Sequence, residues 1–134
     1  MSKKVNIFME SNIDGEKSVW ETTGTYEKQD SYHFITYIDY AGNTVTNNEL
    51  KIKEDMAQLT RRGASSCDML FQADKKHKTF YQVMAGNMEF DVYTREYVMT
   101  SHENRLELFI DYFLENESRN PIHNFMKIQL EVLE

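Results

Sequence analysis

Residues 122–132 of the chain read IHNFMKIQLEV, and apolar and polar side chains alternate along most of this segment. Side chains two positions apart on a β-strand lie on the same face, so the alternation is typical of a strand with one face on a core. Asn124 is the exception, because it is polar at a position that belongs to the apolar face. The apolar set is Ile122, Met126, Ile128, Leu130 and Val132.

The same period recurs near both ends of the chain. It runs through Val5, Ile7 and Met9, and through Leu106, Leu108, Ile110, Tyr112 and Leu114. Residues 104–117 also fit a helical stripe, because Leu106, Phe109, Ile110 and Phe113 follow the spacing i, i+3, i+4, i+7. We expect a strand there, with Phe109 and Phe113 under a neighbouring loop, and a helix is the alternative.

Glycine-containing turns separate the alternating segments. Asp14-Gly15 favours a two-residue hairpin, and segments 41–43, 62–66 and 85–87 carry similar signals. Counting between breaks gives eight to ten long strands in sequential order. A sheet of this size curls, and closure removes its exposed edges. We therefore predict an all-β fold, one antiparallel up-and-down barrel of eight to ten strands, forming a single domain over residues 1–134.

Composition narrows the range of partners. The 134 residues carry a net charge of -7, whereas nucleic-acid and acidic-membrane binders need a positive face, so we expect neither partner. Cys67 is the only cysteine, which rules out an internal disulfide, and the N-terminus lacks the apolar run of a signal peptide. These features predict a cytoplasmic protein.

Several short motifs follow one another in an order that resembles the YwiB-like family, a group of proteins of Gram-positive bacteria without an assigned activity. The resemblance implies a calycin-like barrel, the architecture of lipocalins and fatty-acid-binding proteins. The matching motifs are Thr22-Thr23-Gly24 with Tyr26, Tyr37-Ile38-Asp39, Leu59-Thr60-Arg61-Arg62-Gly63-Ala64, Met69-Leu70-Phe71, and Tyr81 ahead of Gly86-Asn87-Met88-Glu89.

Arg61 is the most informative single residue. It shares a strand face with Ala57 and Leu59, so its guanidinium points into the barrel if that face is the interior. A buried cation needs a partner or it is costly. Three partners are open: a protein carboxylate such as Asp39, water at the barrel rim, or an anionic ligand that matches the guanidinium fork.

Other reactive side chains give no catalytic or metal pattern. Cys67 alternates with Met69 and Phe71 and is read as a core thiol. The histidines lack metal-ligand spacing, and a Gly-x-Ser-x-Gly elbow and a phosphate-binding glycine loop are both missing. The basic run 75–78 is read as a solvated hairpin end, with an anion-attracting patch at a barrel mouth as the alternative. We expect no metal and no cofactor.

The function hypothesis is a non-enzymatic module that binds a small apolar or anionic molecule inside the barrel. The alternative is a protein–protein interaction or homodimerising module with a solid core; the chain would be a monomer or a homodimer. An enzyme would require Arg61, a histidine and a carboxylate in one cleft. The expected ligand-binding residues are Arg61, Asp39, Tyr37, Tyr81 and Tyr26.

Overall fold

The computed structural model describes residues 2–41, 43–63, 65–83, 86–117 and 119–133, with the main chain alone for Ala41, Val83 and Arg119. These residues form ten β-strands, and none of them forms a helix long and apolar enough to cross a membrane. The strands are β1 (Lys3–Ile13), β2 (Glu16–Gln29), β3 (Tyr32–Ala41), β4 (Thr44–Ile52), β5 (Met56–Arg62), β6 (Cys67–Gln72), β7 (Lys75–Val83), β8 (Gly86–His102), β9 (Arg105–Asn116) and β10 (Arg119–Val132).

The strands make one antiparallel sheet in the order β6-β5-β4-β3-β2-β1-β10-β9-β8-β7. Its two ends, β6 and β7, come together where Ser66 and Gln82 exchange two backbone hydrogen bonds of 2.9 Å. The Thr79 hydroxyl also donates to the Asp68 carbonyl at 2.5 Å. The result is a nearly closed up-and-down barrel, which confirms the predicted all-β fold at the upper limit of the strand count.

Residues 105–116 form a strand, so the strand prediction for this segment is confirmed. The expectation that a loop covers its phenylalanines is wrong. Phe109 and Phe113 lie on the outer face and pack on rings of β10, with centroid distances of 6.0 Å to Phe125 and 4.7 Å to His123. A ring on the neighbouring strand β10, and not a loop, therefore packs on each of these phenylalanines.

Every second residue of each strand points into the barrel interior and lines it. Burying one such aliphatic side chain stabilises the fold by about 1.5–3 kcal/mol, so this layer provides most of the driving force for folding. The largest fully buried side chains include Ile7, Ile35, Leu50, Ile52, Phe71, Leu108, Ile110, Ile128 and Leu130.

The Asp14-Gly15 turn is confirmed, because both residues have positive φ, 52° and 89°. The other predicted turns each include one residue outside the described ones: Gly42, Ala64 and Ala85. Since successive strands alternate in direction, the β1–β2, β3–β4, β5–β6, β7–β8 and β9–β10 connections share one end, which we call the upper end.

Gly24 allows close approach of two strands and does not form a bulge. A Cβ at this position would lie 2.2 Å from the Thr36 carbonyl oxygen. The β2–β3 ladder begins at the Gly24–Tyr37 pair, and the rest of β2, residues 16–23, pairs with β1 only. The two strands therefore part above Gly24, toward the upper end.

Candidate functional site

Four interior residues lie side by side across β3 to β6. Tyr37 pairs with Asn48, Asn48 with Arg61, and Arg61 with Cys67. We call these four residues the inner row. Tyr37, Asn48 and Cys67 are buried, and Arg61 shares its face with buried Ala57 and Leu59, as the alternation predicts.

The Arg61 side chain lies near one carboxylate, but this carboxylate does not satisfy its hydrogen-bond donors. Its Nη2 lies 3.7 Å from Asp39 Oδ2, which is longer than a hydrogen bond, and the two side chains are 34% and 43% exposed. The Nε atom is buried without a hydrogen-bond partner. Of the three partners open to Arg61, Asp39 is present, but it forms a loose ion pair only.

Three tyrosines share the interior with Arg61. Burial raises the pKa of Tyr37 and of Tyr112 to about 12 and also raises the pKa of Tyr81, while the Arg61 charge acts in the opposite direction on all three phenols. The Tyr81 hydroxyl donates to Met69 Sδ at 3.4 Å. One guanidinium therefore acts on phenols contributed by β3, β7 and β9.

Tyr26 does not join this group. Its hydroxyl is 2.7 Å from Nδ1 of His33, and its strand neighbour is Ile35, two residues below Tyr37 on β3. Burial raises the pKa of Tyr26 and lowers that of His33. The structure brings Arg61, Asp39, Tyr37 and Tyr81 together and leaves Tyr26 elsewhere.

The Cys67 thiol lies at the end of the inner row. Burial raises its pKa, and the opposing effects of Arg61 and of a Tyr81 hydrogen bond are smaller. The thiol is thus protonated near neutral pH, which suits a core side chain rather than a nucleophile. Within the described ranges no cluster of three His, Cys, Asp or Glu side chains could hold a metal ion.

The basic run 75–78 directly follows the turn at residues 73–74, and the Lys76 and Lys78 side chains are 52% and 54% exposed, which agrees with the predicted solvated hairpin end. These residues open strand β7, and Lys76 and Lys78 pair with Glu115 and Glu89 at 2.7 and 2.6 Å. Two of these exposed lysines therefore also form ion pairs with carboxylates on β8 and β9, which the sequence pattern did not reveal.

Sequence reasoning missed polar side chains at core positions: Asn48, Thr94 and Asn124, which are 3%, 0% and 2% exposed. The signal was present for Asn124, the polar exception in the alternation of residues 122–132. A buried polar side chain needs a hydrogen-bond partner, so a polar residue at an apolar position of the alternation indicates a polar site within the core.

An ionic cluster on the outer face was also missed. Arg95 Nη2 donates to Asp111 Oδ2, and His123 Nε2 lies 2.5 Å from Asp111 Oδ1. The Asp111 side chain is 10% exposed, and the His123 ring stacks on Phe113. A register shift between Thr94 and Glu96 sets this geometry, and the sequence pattern does not reveal it.

Comparison with known proteins gives a family and a fold. A family model described as a domain of unknown function, DUF1934, matches residues 4–128. The crystal structure of the ywiB protein from Bacillus subtilis superposes with a TM-score of 0.85 at 19% identity, covering 99% of this chain and 94% of that chain. At that identity the likeness shows the shared barrel fold. No curated protein matches the chain.

Proposed function

The chain belongs to the DUF1934 family, as the resemblance to YwiB-like proteins predicted, and we propose that it binds a small, partly apolar anion inside its barrel without catalysing a reaction. Arg61 is the proposed anchor for the anionic group. We further propose that the protein acts in the cytoplasm. Its single cysteine cannot form an internal disulfide, and proteins of a reducing compartment rarely carry disulfides.

The single observation that carries this proposal is the incomplete pairing of Arg61. A guanidinium has five N–H donors, and here Nε is buried without a partner while Asp39 stays 3.7 Å from Nη2. Unpaired buried donors are costly, and a carboxylate or phosphate would satisfy the guanidinium fork. The site is therefore suited to an anion with two acceptor oxygens.

The neighbouring phenols support an anion in the same place. The Tyr37 and Tyr112 hydroxyls have no hydrogen-bond partner among the described residues. With pKa values raised to about 12 by burial, both phenols stay protonated at neutral pH. They can donate hydrogen bonds to an anion and cannot repel it as phenolates.

The interior also offers apolar contacts to the remainder of such a molecule. Trp20, Leu114 and Met99 are partly buried and pack on the core, and the Trp20 ring lies 5.7 Å from that of Tyr37. An eight-stranded barrel is either packed with its own side chains or holds one small ligand, and barrel diameter grows with strand number. The wider interior that ten strands allow supports room for a small ligand beside the side chains that line it.

Trp20 makes the test direct, since it is the only tryptophan in the chain and lies beside the inner row. Its fluorescence is followed while decanoate, decyl phosphate or decanol is added. We expect the two anions to bind and decanol to bind at least tenfold more weakly, because a charge-assisted hydrogen bond contributes about 1.5–3 kcal/mol.

Arg61→Gln and Arg62→Gln form a matched pair of variants. Arg62 points outward and is held by Asp68, with both nitrogen–oxygen distances at 3.2 Å. Arg61→Gln should weaken decanoate binding by about tenfold or more, and Arg62→Gln should change it less than twofold. Equal affinity in the two variants would overturn the proposed role of Arg61.

A second candidate function is self-association or partner binding through the outer face of β3 and β4. Tyr40 and Val45 are paired across these strands and are 72% and 47% exposed, and Ile38 beside them is 41% exposed. Such contiguous apolar side chains are typical of contact surfaces. Sedimentation equilibrium over a hundredfold concentration range decides this point: a dimer that Tyr40→Lys dissociates supports it, and a monomer throughout removes self-association.

A further inference from the structure

Two buried polar atoms besides Arg61 Nε have no partner in the described part of the chain. They are Thr94 Oγ1 and Asn124 Oδ1, in side chains that are 0% and 2% exposed. Buried polar atoms in folded proteins are nearly always hydrogen-bonded, because an unpaired one has lost its bonds to water without replacement. Both atoms therefore require an explanation.

The two residues flank one tyrosine of the candidate site. Thr94 pairs with Tyr112 across β8 and β9, and Tyr112 pairs with Asn124 across β9 and β10. We call Thr94, Tyr112 and Asn124 the Tyr112 row. Thr94 has the same parity as buried Val92, and Asn124 that of Met126, so both side chains point into the barrel.

The Tyr112 row faces the same interior as the inner row. The Arg61 charge acts on the Tyr112 phenol, and the Tyr112 ring lies edge-on to Phe71 of β6 at 4.9 Å. A molecule bound at Arg61 inside the barrel therefore shares the interior with two further unpaired polar atoms, Thr94 Oγ1 and Asn124 Oδ1. An entirely aliphatic chain would leave those atoms unsatisfied.

We propose that the ligand carries, besides its anionic group, an uncharged hydroxyl that bonds to the Tyr112 row. A hydroxyl can donate to Asn124 Oδ1 on one side of Tyr112, or exchange a hydrogen bond with Thr94 Oγ1 on the other. The ligand class is thus a hydroxylated carboxylate or phosphate with an apolar body. This inference rests on the proposed function and deepens it.

The test compares decanoate with the series of its monohydroxy isomers, again by Trp20 fluorescence. We expect at least one isomer to bind the native protein about three- to tenfold more tightly than decanoate does, which is the usual net effect of one hydrogen bond. The double variant Thr94→Val, Asn124→Leu should abolish that gain while leaving the affinity for decanoate within about twofold, and the two single variants identify which residue the hydroxyl bonds.

Thermal unfolding of the free protein provides an independent readout. Thr94→Val removes an unpaired hydroxyl and should leave Tm unchanged or raise it. Thr79→Val is the matched control, because Thr79 is equally buried and its hydroxyl donates to the Asp68 carbonyl. This control should lower Tm by about 4 °C or more.

The outcomes separate the two proposals. A native protein that binds decanoate through Arg61 but prefers no hydroxy isomer overturns the hydroxyl contact and leaves the proposed function intact. A Tm loss in Thr94→Val equal to that in Thr79→Val also overturns it, since a bound water would then already satisfy Thr94. Absence of binding by the whole series overturns the proposed function and this inference with it.

Discussion

Two of the arginine–aspartate pairs of this barrel differ in their setting: Arg61–Asp39 lies inside the barrel, and Arg95–Asp111 lies on its outer face. Inside, Arg61 and Asp39 are 3.7 Å apart, and the carboxylate is 43% exposed. Outside, Asp111 is 10% exposed and receives Arg95 on one oxygen and His123 on the other. The outer pair is hydrogen-bonded and the inner pair is not.

The contrast shows which charges the fold uses for its own structure. Both carboxylate oxygens of Asp111 already accept bonds from the protein, so few acceptor positions remain for a ligand. These bonds link β8, β9 and β10, which makes the outer cluster structural. A guanidinium with a buried unpaired Nε is available to a ligand. The interior position is therefore where binding is expected, although the outer cluster looks more like a conventional site.

The largest effect is expected where the inner row meets β2. Gly24→Ala places a methyl group 2.2 Å from the Thr36 carbonyl oxygen and 3.1 Å from Tyr37 Cβ. We expect a loss of about 3 kcal/mol in the free energy of unfolding, measured with urea, because the clash is with main chain that cannot move aside. Stability within about 0.5 kcal/mol of the native value would contradict the close approach of β2 and β3.

Removal of each carboxylate compares the two pairs directly. Asp111→Ala deletes two charge-assisted hydrogen bonds from a buried position and should cost about 2 kcal/mol in the same urea experiment. Asp39→Ala should cost less than about 0.5 kcal/mol, as for other exposed ion pairs. Similar losses from the two variants would show that the inner pair is also structural.

At alkaline pH, phenylalanine variants isolate the contribution of the phenols near Arg61. The pKa of Tyr37 and of Tyr112 is raised by burial to about 12 in the folded state, above the ordinary value of 10.0. The unfolded chain therefore loses these protons first, and stability falls as pH rises from 10 toward 12. At pH 11, Tyr37→Phe and Tyr112→Phe should each remove about 1 kcal/mol of that decline in unfolding experiments. Curves parallel to that of the native protein would mean that neither phenol is shielded.

The smallest effect concerns affinity. Asp39→Asn removes the carboxylate that competes for Arg61 and should tighten decanoate binding by about threefold in the Trp20 titration. Asp68→Asn, next to outward-facing Arg62, serves as the control and should leave the affinity unchanged. Weaker binding by Asp39→Asn would indicate that Asp39 holds Arg61 in place for the ligand.

Much of the fold could be predicted because strand alternation is a local property. The period of two in residues 122–132 and the turn at Asp14-Gly15 both depend on neighbours along the chain, and both are observed. The same parity placed Arg61 on the interior face. The ion pairs of the basic run 75–78 could not be predicted, because strand pairing rather than sequence proximity brings Glu89 and Glu115 alongside it.

The sequence predicted that the candidate site would combine Arg61 with tyrosines, but it did not predict correctly which tyrosines lie near Arg61. Parity could not tell that Tyr37 and Tyr81 share the Arg61 environment whereas Tyr26 bonds to His33. Nor could it show that the Arg61 charge acts on the Tyr112 phenol, since this interaction joins β5 to β9 across the interior.

The amino-acid sequence by itself determined the strands, their order along the chain and the inward direction of Arg61, because side-chain parity and turn chemistry act over a few residues. Only the tertiary structure decided the meeting of β6 and β7, the distance between Arg61 and Asp39, and the Arg95–Asp111–His123 cluster. These features depend on the register between strands that are distant in the chain. Packing of the whole barrel fixes this register, and local irregularities, such as the one beside Arg95, shift it.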